Sequence, residues 1–370
     1  MSVVREADPA RSAERPPKTP EAGRVLDGLV LRTHGGRLSL RLDGRALAVS
    51  VVLLVALAVV MGITLTSGDF PLPLGDVLRS LVGEGSPGAD FIIYTLRLPR
   101  LLTAVFVGAA LAASGAILQT LTRNPLGSPD IIGFTNGSAT GALLVIIVLQ
   151  GSMTQIALGA LAGGLVTAVA VYLLAYTRGV QGFRLVVVGI GVSAMLLAAN
   201  SYLITRARLQ EALAAQSWLI GSLHDRGPNQ AAAVGIGLAI LLPLGLRFAR
   251  RLSLLEMGDD AAKALGVNVE RTRFVLLLVS VTLAAIATAA TGPIWFIALA
   301  APQLARRLTR SSGPGLLPAA FLGAVLLAAS DLAVQRILPS AHLPVGTATG
   351  IIGGLYLVWL LATEARRSRL

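Results

Sequence analysis

After residue 45 the chain is a series of long apolar runs broken by short polar turns. One stretch sets the pattern, from Arg97 to Gly141. Two arginines flank Pro99, and an apolar run rich in Ala and Gly follows. The polar turn Arg123-Asn124-Pro125-Leu126-Gly127 then leads into a second apolar run with glycines at 133, 137 and 141. A run of ~20 apolar residues with charges only at its ends has the length of a helix crossing a ~30 Å hydrocarbon layer. The same reading along the whole chain predicts ten spans, at about 46–66, 98–121, 130–149, 154–177, 183–204, 230–248, 274–291, from past Gly292-Pro293 to 308, 316–337 and 345–363. Three connections are longer than a turn. Residues 67–96 include a short surface helix near 74–81, residues 205–229 carry Trp218 as an interfacial aromatic, and residues 249–273 form a charged insertion.

Composition supports this all-α, polytopic membrane reading. Of 370 residues 54% are hydrophobic and 14% charged, glycine is abundant, and mean hydropathy is +0.75. There is no cysteine, so neither a disulfide framework nor a thiolate metal site is available. A net charge of +12 would suit nucleic acid in a soluble protein, but here the basic residues cluster in short loops and in the first 45 residues. With ten crossings and both termini on one side, that side holds 24 of the 31 Lys and Arg. The bias makes the termini cytoplasmic and the protein multi-pass, with lipid rather than nucleic acid as its surroundings. Residues 1–45 read as a disordered basic cytoplasmic tail, 46–363 as the ten-helix membrane domain, and 364–370 as a second basic cytoplasmic tail.

Several residues carry candidate chemistry. The Gly-x-x-x-Gly sets at 133/137/141, 159/163 and 346/350/354 let helix backbones approach closely in lipid. Arg97, Arg100 and Arg336 lie at span ends on the side poor in basic residues. There they serve either as snorkelling anchors or as an acceptor for the acidic groups of a partner. Asp331 lies inside a span, where a carboxylate is costly unless paired, and a nearby arginine is its expected partner. No histidine lies within a span, so a proton relay lacks its parts. In the insertion, Asp259 and Asp260 precede an Ala- and Lys-rich run closed by Gly266, which predicts a short helix. It is either an amphipathic surface helix or a docking element for a soluble partner. No Gly-x-x-x-x-Gly-Lys-Ser/Thr loop and no metal-ligand cluster occur, so the chain is expected to be neither an ATPase nor another enzyme.

These residues also carry a resemblance. Arg97-Leu98-Pro99-Arg100, Gly108 to Gly115, Gln119, Arg123-Asn124-Pro125-Leu126, Pro129, Gly133 and Asn136-Gly137 resemble the signature of the FecCD permeases of ABC importers for ferric siderophores, haem and vitamin B12. Gly258 to Val267 resembles that family's cytoplasmic coupling segment. Gly292-Pro293-Ile294, Phe296, Pro302, Ala305-Arg306 and Leu343-Pro344-Val345-Gly346 with Thr349 and Gly353 resemble its C-terminal half.

The resemblance implies a ten-helix type II importer permease that pairs with a second permease subunit, identical or paralogous. It also implies two ATPase subunits, which bind the ATP, and a substrate-binding protein outside, with no cofactor on this chain. On this basis Arg97, Arg100 and Arg336 receive the binding protein. Glu256, Gly258, Asp259, Asp260, Ala261, Ala264, Leu265, Gly266 and Val267 couple to the ATPase. The span at 183–204, with Ser193 and Asn200, lines the path, and Asn136 and Gly137 belong to its cytoplasmic gate. Ser217 to Leu223 resembles a Trp-x-x-Gly-Ser-Leu segment of catecholate-siderophore permeases and favours that cargo. Two features depart from the family: Gln303 stands where it often has His, and the N-terminal tail is longer than usual. The alternatives are vitamin B12 or haem as cargo, or an ion-driven secondary transporter, which would need ionisable groups or broken helices near the midplane.

Overall fold

Apolar periodicity becomes helix almost everywhere in the computed structural model, which describes residues 28–32, 39–68, 70–177, 181–311, 313–337 and 343–367. The helices are α1 (Gly44–Thr66), α2 (Leu74–Leu81), α3 (Pro87–Asp90), α4 (Leu98–Thr122), α5 (Phe134–Leu143), α6 (Met153–Ala175), α7 (Gly182–Arg206), α8 (Leu209–Ile220), α9 (Pro228–Arg247), α10 (Ala249–Glu256), α11 (Asp259–Ala264), α12 (Val269–Thr291), α13 (Ile297–Thr309), α14 (Leu316–Ile337) and α15 (Val345–Arg367). Wider π-helical turns at Phe91–Arg97 and Leu144–Leu149 join α3 to α4 and extend α5. Seven helical stretches are individually long and apolar enough to cross a bilayer, and Phe134–Leu149 and Val345–Trp359 add two shorter ones. With α13 these are the ten expected spans.

The helices occupy very different environments. The most apolar stretch of the α3–α4 segment is 83% buried, whereas those of α1 and α7 are 11% and 17% buried. α4 is therefore the axis on which α9, α12, α13 and α14 pack, and its small residues explain why it can be. A Cβ at Gly108 would lie 2.3 Å from the carbonyl oxygen of Gly323 in α14, and one at Gly115 only 1.7 Å from that of Ala298 in α13. In lipid, where helices gain little from hydrophobic burial, such backbone proximity supplies the dispersion contacts. α5 and α6 do the same: a Cβ at Gly141 would lie 2.0 Å from the Gly159 oxygen. α4 ends on Arg123 in the left-handed region (φ 50°), and Asn124 N–H returns to the Gln119 carbonyl at 3.1 Å. That closure satisfies the last carbonyls of the helix.

Three expectations are corrected. The tail expected to be disordered contains an antiparallel pair, Gly28–Arg32 with Ser39–Asp43, in which Leu29 faces Leu42 and Leu31 faces Leu40 in register. Leucines at alternate positions give these segments the period of a strand. The rest of residues 1–38, and residues 368–370 of the C-terminal tail, lie outside the described residues. The eighth span is a half-helix: the 13 residues of α13 reach only ~20 Å at 1.5 Å per residue, and Gly292 to Phe296 covers the remainder without helix. Pro293 and the left-handed Phe296 (φ 70°) explain the break. Trp218 packs inside, with Leu143, Ile146 and Ala215, instead of standing at a lipid interface.

Candidate functional site: two ends of one buried helix

The first functional cluster surrounds the N-terminal end of α4. Arg97, in the last π-helical turn, donates to the carbonyls of Leu65 (2.6 Å) and Phe70, fixing the end of α1. One turn on, Arg100 forms a two-pronged pair with Asp331 of α14, Nε to Oδ2 at 3.0 Å and Nη2 to Oδ1 at 2.7 Å. Asp331 is almost completely buried and also accepts from Gln335 Nε2 at 2.7 Å. The expected carboxylate partner is thus Arg100, across helices, and not Arg336 five residues along. Arg336 is exposed at the end of α14 and has no side-chain partner among the described residues. Of the three arginines grouped from the sequence, two are tied internally and one offers an open guanidinium.

The opposite end of α4 meets the insertion. α11 starts at Asp259 and is closed by Gly266 (φ 79°), and α10 before it buries Leu252 and Leu255 against the bundle. Arg123 donates from Nε to the Leu255 carbonyl (2.8 Å) and from Nη2 to Asp259 Oδ1 (2.5 Å). Arg273 of α12, buried, meets both oxygens of the same carboxylate at 2.9 and 3.0 Å. Burial works against the charge on Asp259, but the hydrogen bonds and charges of Arg273 and Arg123 outweigh it and hold the carboxyl below the usual carboxylate range. A second pair, Glu256 to Arg306 of α13 at 3.1 Å, extends through Arg306 to Thr120 Oγ1 of α4. Asp260, Leu265 and Met257 point outward, while Val267 is buried. The residues grouped as one coupling segment therefore separate into an inward and an outward set. A cleft of about 570 Å³ lies beside them, lined by Arg123, Gln181, Asp259, Asp260 and Arg273.

Between the two ends, α5 and α7 share a line of polar contacts. Asn136 Nδ2 donates to Ser193 Oγ at 2.7 Å, and one turn along Thr140 Oγ1 donates to Asn200 Oδ1 at 2.7 Å, with Asn200 97% buried. Sequence reasoning grouped Asn136, Ser193 and Asn200, and the structure brings them together. It places Gly137 elsewhere: a Cβ there would lie 2.0 Å from Thr167 Oγ1, so this glycine faces α6. A position one residue from Asn136 turns through about 100° of a helix, which is the reason. Thr140 was missed, although four residues from Asn136 it shares the same helix face.

Asp130 was missed as well. It lies in the turn before α5, buried, and accepts from Thr135 Oγ1 at 2.7 Å. Gln303 donates to the Pro125 carbonyl and so holds the Arg123–Pro125 turn. The segment from Trp218 to Leu223 serves packing: Gly221 (φ 73°) leaves room for the Pro293 carbonyl, and Ser222 N–H donates to Thr291 O at 2.8 Å.

A bundle of apolar spans with a buried axial helix, a polar inter-helix line and an ion-paired insertion outside it defines a polytopic helical membrane protein. Comparison with known proteins places it more closely. Residues 53–363 match the model of the FecCD transport family. The ferric enterobactin transport system permease protein of Escherichia coli K12 is 45% identical over 324 residues, covering 87% of this chain and 98% of that protein. The Fe(3+) dicitrate permease of the same organism is 39% identical over 322 residues, covering 85% and 98%. The hemin permease of Yersinia pestis is 37% identical over 278, covering 73% and 82%. Among solved structures, an inward-facing metal-chelate type ABC transporter superposes with a TM-score of 0.77 at 29% identity, covering 85% of this chain and 99% of that one.

The chain belongs to the FecCD transport family. It is a multi-pass membrane permease of an ABC importer and not an enzyme, with ATP hydrolysis carried by a separate ATPase. The ion-driven alternative is thereby set aside.

Proposed function

We propose that this permease imports a ferric catecholate siderophore across the inner membrane by alternating access, paired with a second permease subunit of the same kind. The observation that carries the cargo is the 45% identity, over nearly its whole length, to a permease named for ferric enterobactin. In this reading the termini and the insertion are cytoplasmic, in line with the excess of Lys and Arg on that side. The outer face carries Arg336, open to the acidic groups of a substrate-binding protein, and Arg97, which also holds the end of α1. Arg100 supports that face from within through Asp331. Asn136, Ser193 and Asn200 lie along the wall of the path, where the α5–α7 bonds would exchange partners as the gate moves. The outward set of the insertion, Asp260 and Leu265 with Met257 beside them, contacts the ATPase, which binds the ATP; the permease carries no cofactor of its own.

Uptake of radiolabelled ferric enterobactin, haem and vitamin B12 in a strain lacking this chain tests the cargo. Restoration of ferric enterobactin uptake alone is expected on complementation. Restoration of haem or B12 uptake in its place overturns the catecholate assignment.

A further inference from the structure

We infer that Asp259 is an internal transmission residue that joins the coupling insertion to the membrane helices, rather than a contact with the ATPase. The inference rests on the ATP-driven reading above and divides the insertion by the direction its side chains take. Asp259 receives Arg123, at the end of α4, and Arg273, in the second turn of α12, so a single carboxylate bridges two membrane helices to the first residue of α11. Its neighbour Asp260 points to solvent, with only a 4.0 Å approach from Lys263 of the same short helix. Glu256 makes the parallel connection: Arg306 holds it at 3.1 Å while also reaching Thr120, in the last turn of α4.

The end of α4 is thus gripped twice by the insertion, at Arg123 through Asp259 and at Thr120 through Arg306. The Arg123 bond to the Leu255 carbonyl adds a backbone tie. α4 is also the most enclosed span, and its other end is clamped to α14 by Arg100 and Asp331. A displacement of α11 by a docked ATPase therefore reaches α4 through ionic contacts that hold without any partner present. Because each carboxylate oxygen of Asp259 has an arginine, the linkage carries pull as well as push. Neutralising it takes from the buried Arg273 the carboxylate it meets on both oxygens and leaves it the 3.7 Å approach of Glu270.

The test uses the assembled complex in proteoliposomes, with its ATPase and a loaded binding protein. The readouts are ATPase co-purification and the number of ATP molecules hydrolysed per substrate imported. Asp259→Asn is expected to keep co-purification at the wild-type level while ATP consumed per imported substrate rises about three- to tenfold. Asp260→Asn should instead weaken co-purification and leave that ratio unchanged in the complexes that form. Asp259→Glu, which keeps the charge, should return the ratio to within about twofold of wild type.

Should Asp259→Asn insert poorly, Arg123→Gln breaks one arm while Arg273 stays paired, and the same rise in the ratio is expected. Loss of co-purification with an unchanged ratio in Asp259→Asn, or an unchanged ratio in Arg123→Gln, would overturn the inference and make Asp259 an ordinary contact or a structural residue. Import by the wild-type permease without any ATPase would instead overturn the reading on which the inference rests, a result separable because it appears before any substitution is made.

Discussion

The two ends of α4 use the same chemistry, an arginine paired with an aspartate, to opposite effect. At Arg100 the pair is two-pronged, its carboxylate is almost completely buried and further held by Gln335, and both partners sit on membrane helices. At Arg123 the carboxylate is about a third exposed, is shared with a second arginine, and belongs to an insertion outside the bundle. A buried pair that loses one member leaves an uncompensated charge and costs ~3–5 kcal/mol. A partly exposed pair is screened by water and contributes below about 1 kcal/mol. The first arrangement fixes two membrane helices to each other; the second ties an element outside the bundle to two of them. Position on the helix does not set the difference, since both arginines flank the same span. Access to water does.

That contrast breaks if the two ends respond alike to substitution. The largest effect belongs to the closed end. Asp331→Ala should destabilise the folded permease by ~3–5 kcal/mol, read as lost yield and a lowered melting temperature in detergent, while the joint Arg100→Leu/Asp331→Leu change should cost much less. Next comes the packing that lets α4 serve as an axis. Gly115→Val, whose added carbon would sit 1.7 Å from a carbonyl oxygen, should cost about 1–3 kcal/mol or more by the same measurement.

A smaller effect sharpens the outer face: Arg336→Glu should weaken binding-protein affinity about fivefold with membrane insertion unchanged, read by titrating labelled binding protein onto proteoliposomes. Smaller still is Thr140→Ala, which removes one inter-helix hydrogen bond and should cost about 0.6 kcal/mol in detergent unfolding.

The open end should also be indifferent to ordinary pH. The carboxyl of Asp259 is held below its reference value of 3.8 in the folded chain. A depressed carboxylate contributes its full stabilisation above the unfolded value and loses it only as pH falls through the lower folded one. Coupling of ATP to import should therefore stay flat from about pH 5 to 8, and a loss centred within that window would refute the assignment of Asp259 as a stably charged bridge.

What the sequence by itself determined is what one-dimensional chemistry can fix. Runs of apolar residues between charged turns specified ten helices, because lipid offers backbone groups no partner but one another. The Asp-Asp start and Gly266 specified a short helix in the insertion, and the residues of Arg97 to Gly141 and of the C-terminal half specified the family. Where a local rule had a competitor, the reading failed. Trp218 has a polar tip that suits an interface, yet close approach at Gly221 and Gly292 draws its segment inward. The eighth span is apolar enough to read as a crossing, yet Pro293 and Phe296 leave its first residues without helix.

Only the tertiary structure decided partners. Arg100 and Asp331 stand 231 residues apart in the chain and Arg123 and Asp259 stand 136 apart. Arg336, five residues from Asp331, is the nearer arginine in sequence, but five residues is about one and two-fifths turns, so the two side chains leave the helix in different directions. Helix rotation and packing, set by which glycines meet which carbonyls, chose the arginine across the bundle. The same rotation turned Asp259 inward and Asp260 outward, although nothing in two adjacent aspartates distinguishes them until the helix that carries them is packed against α4 and α12.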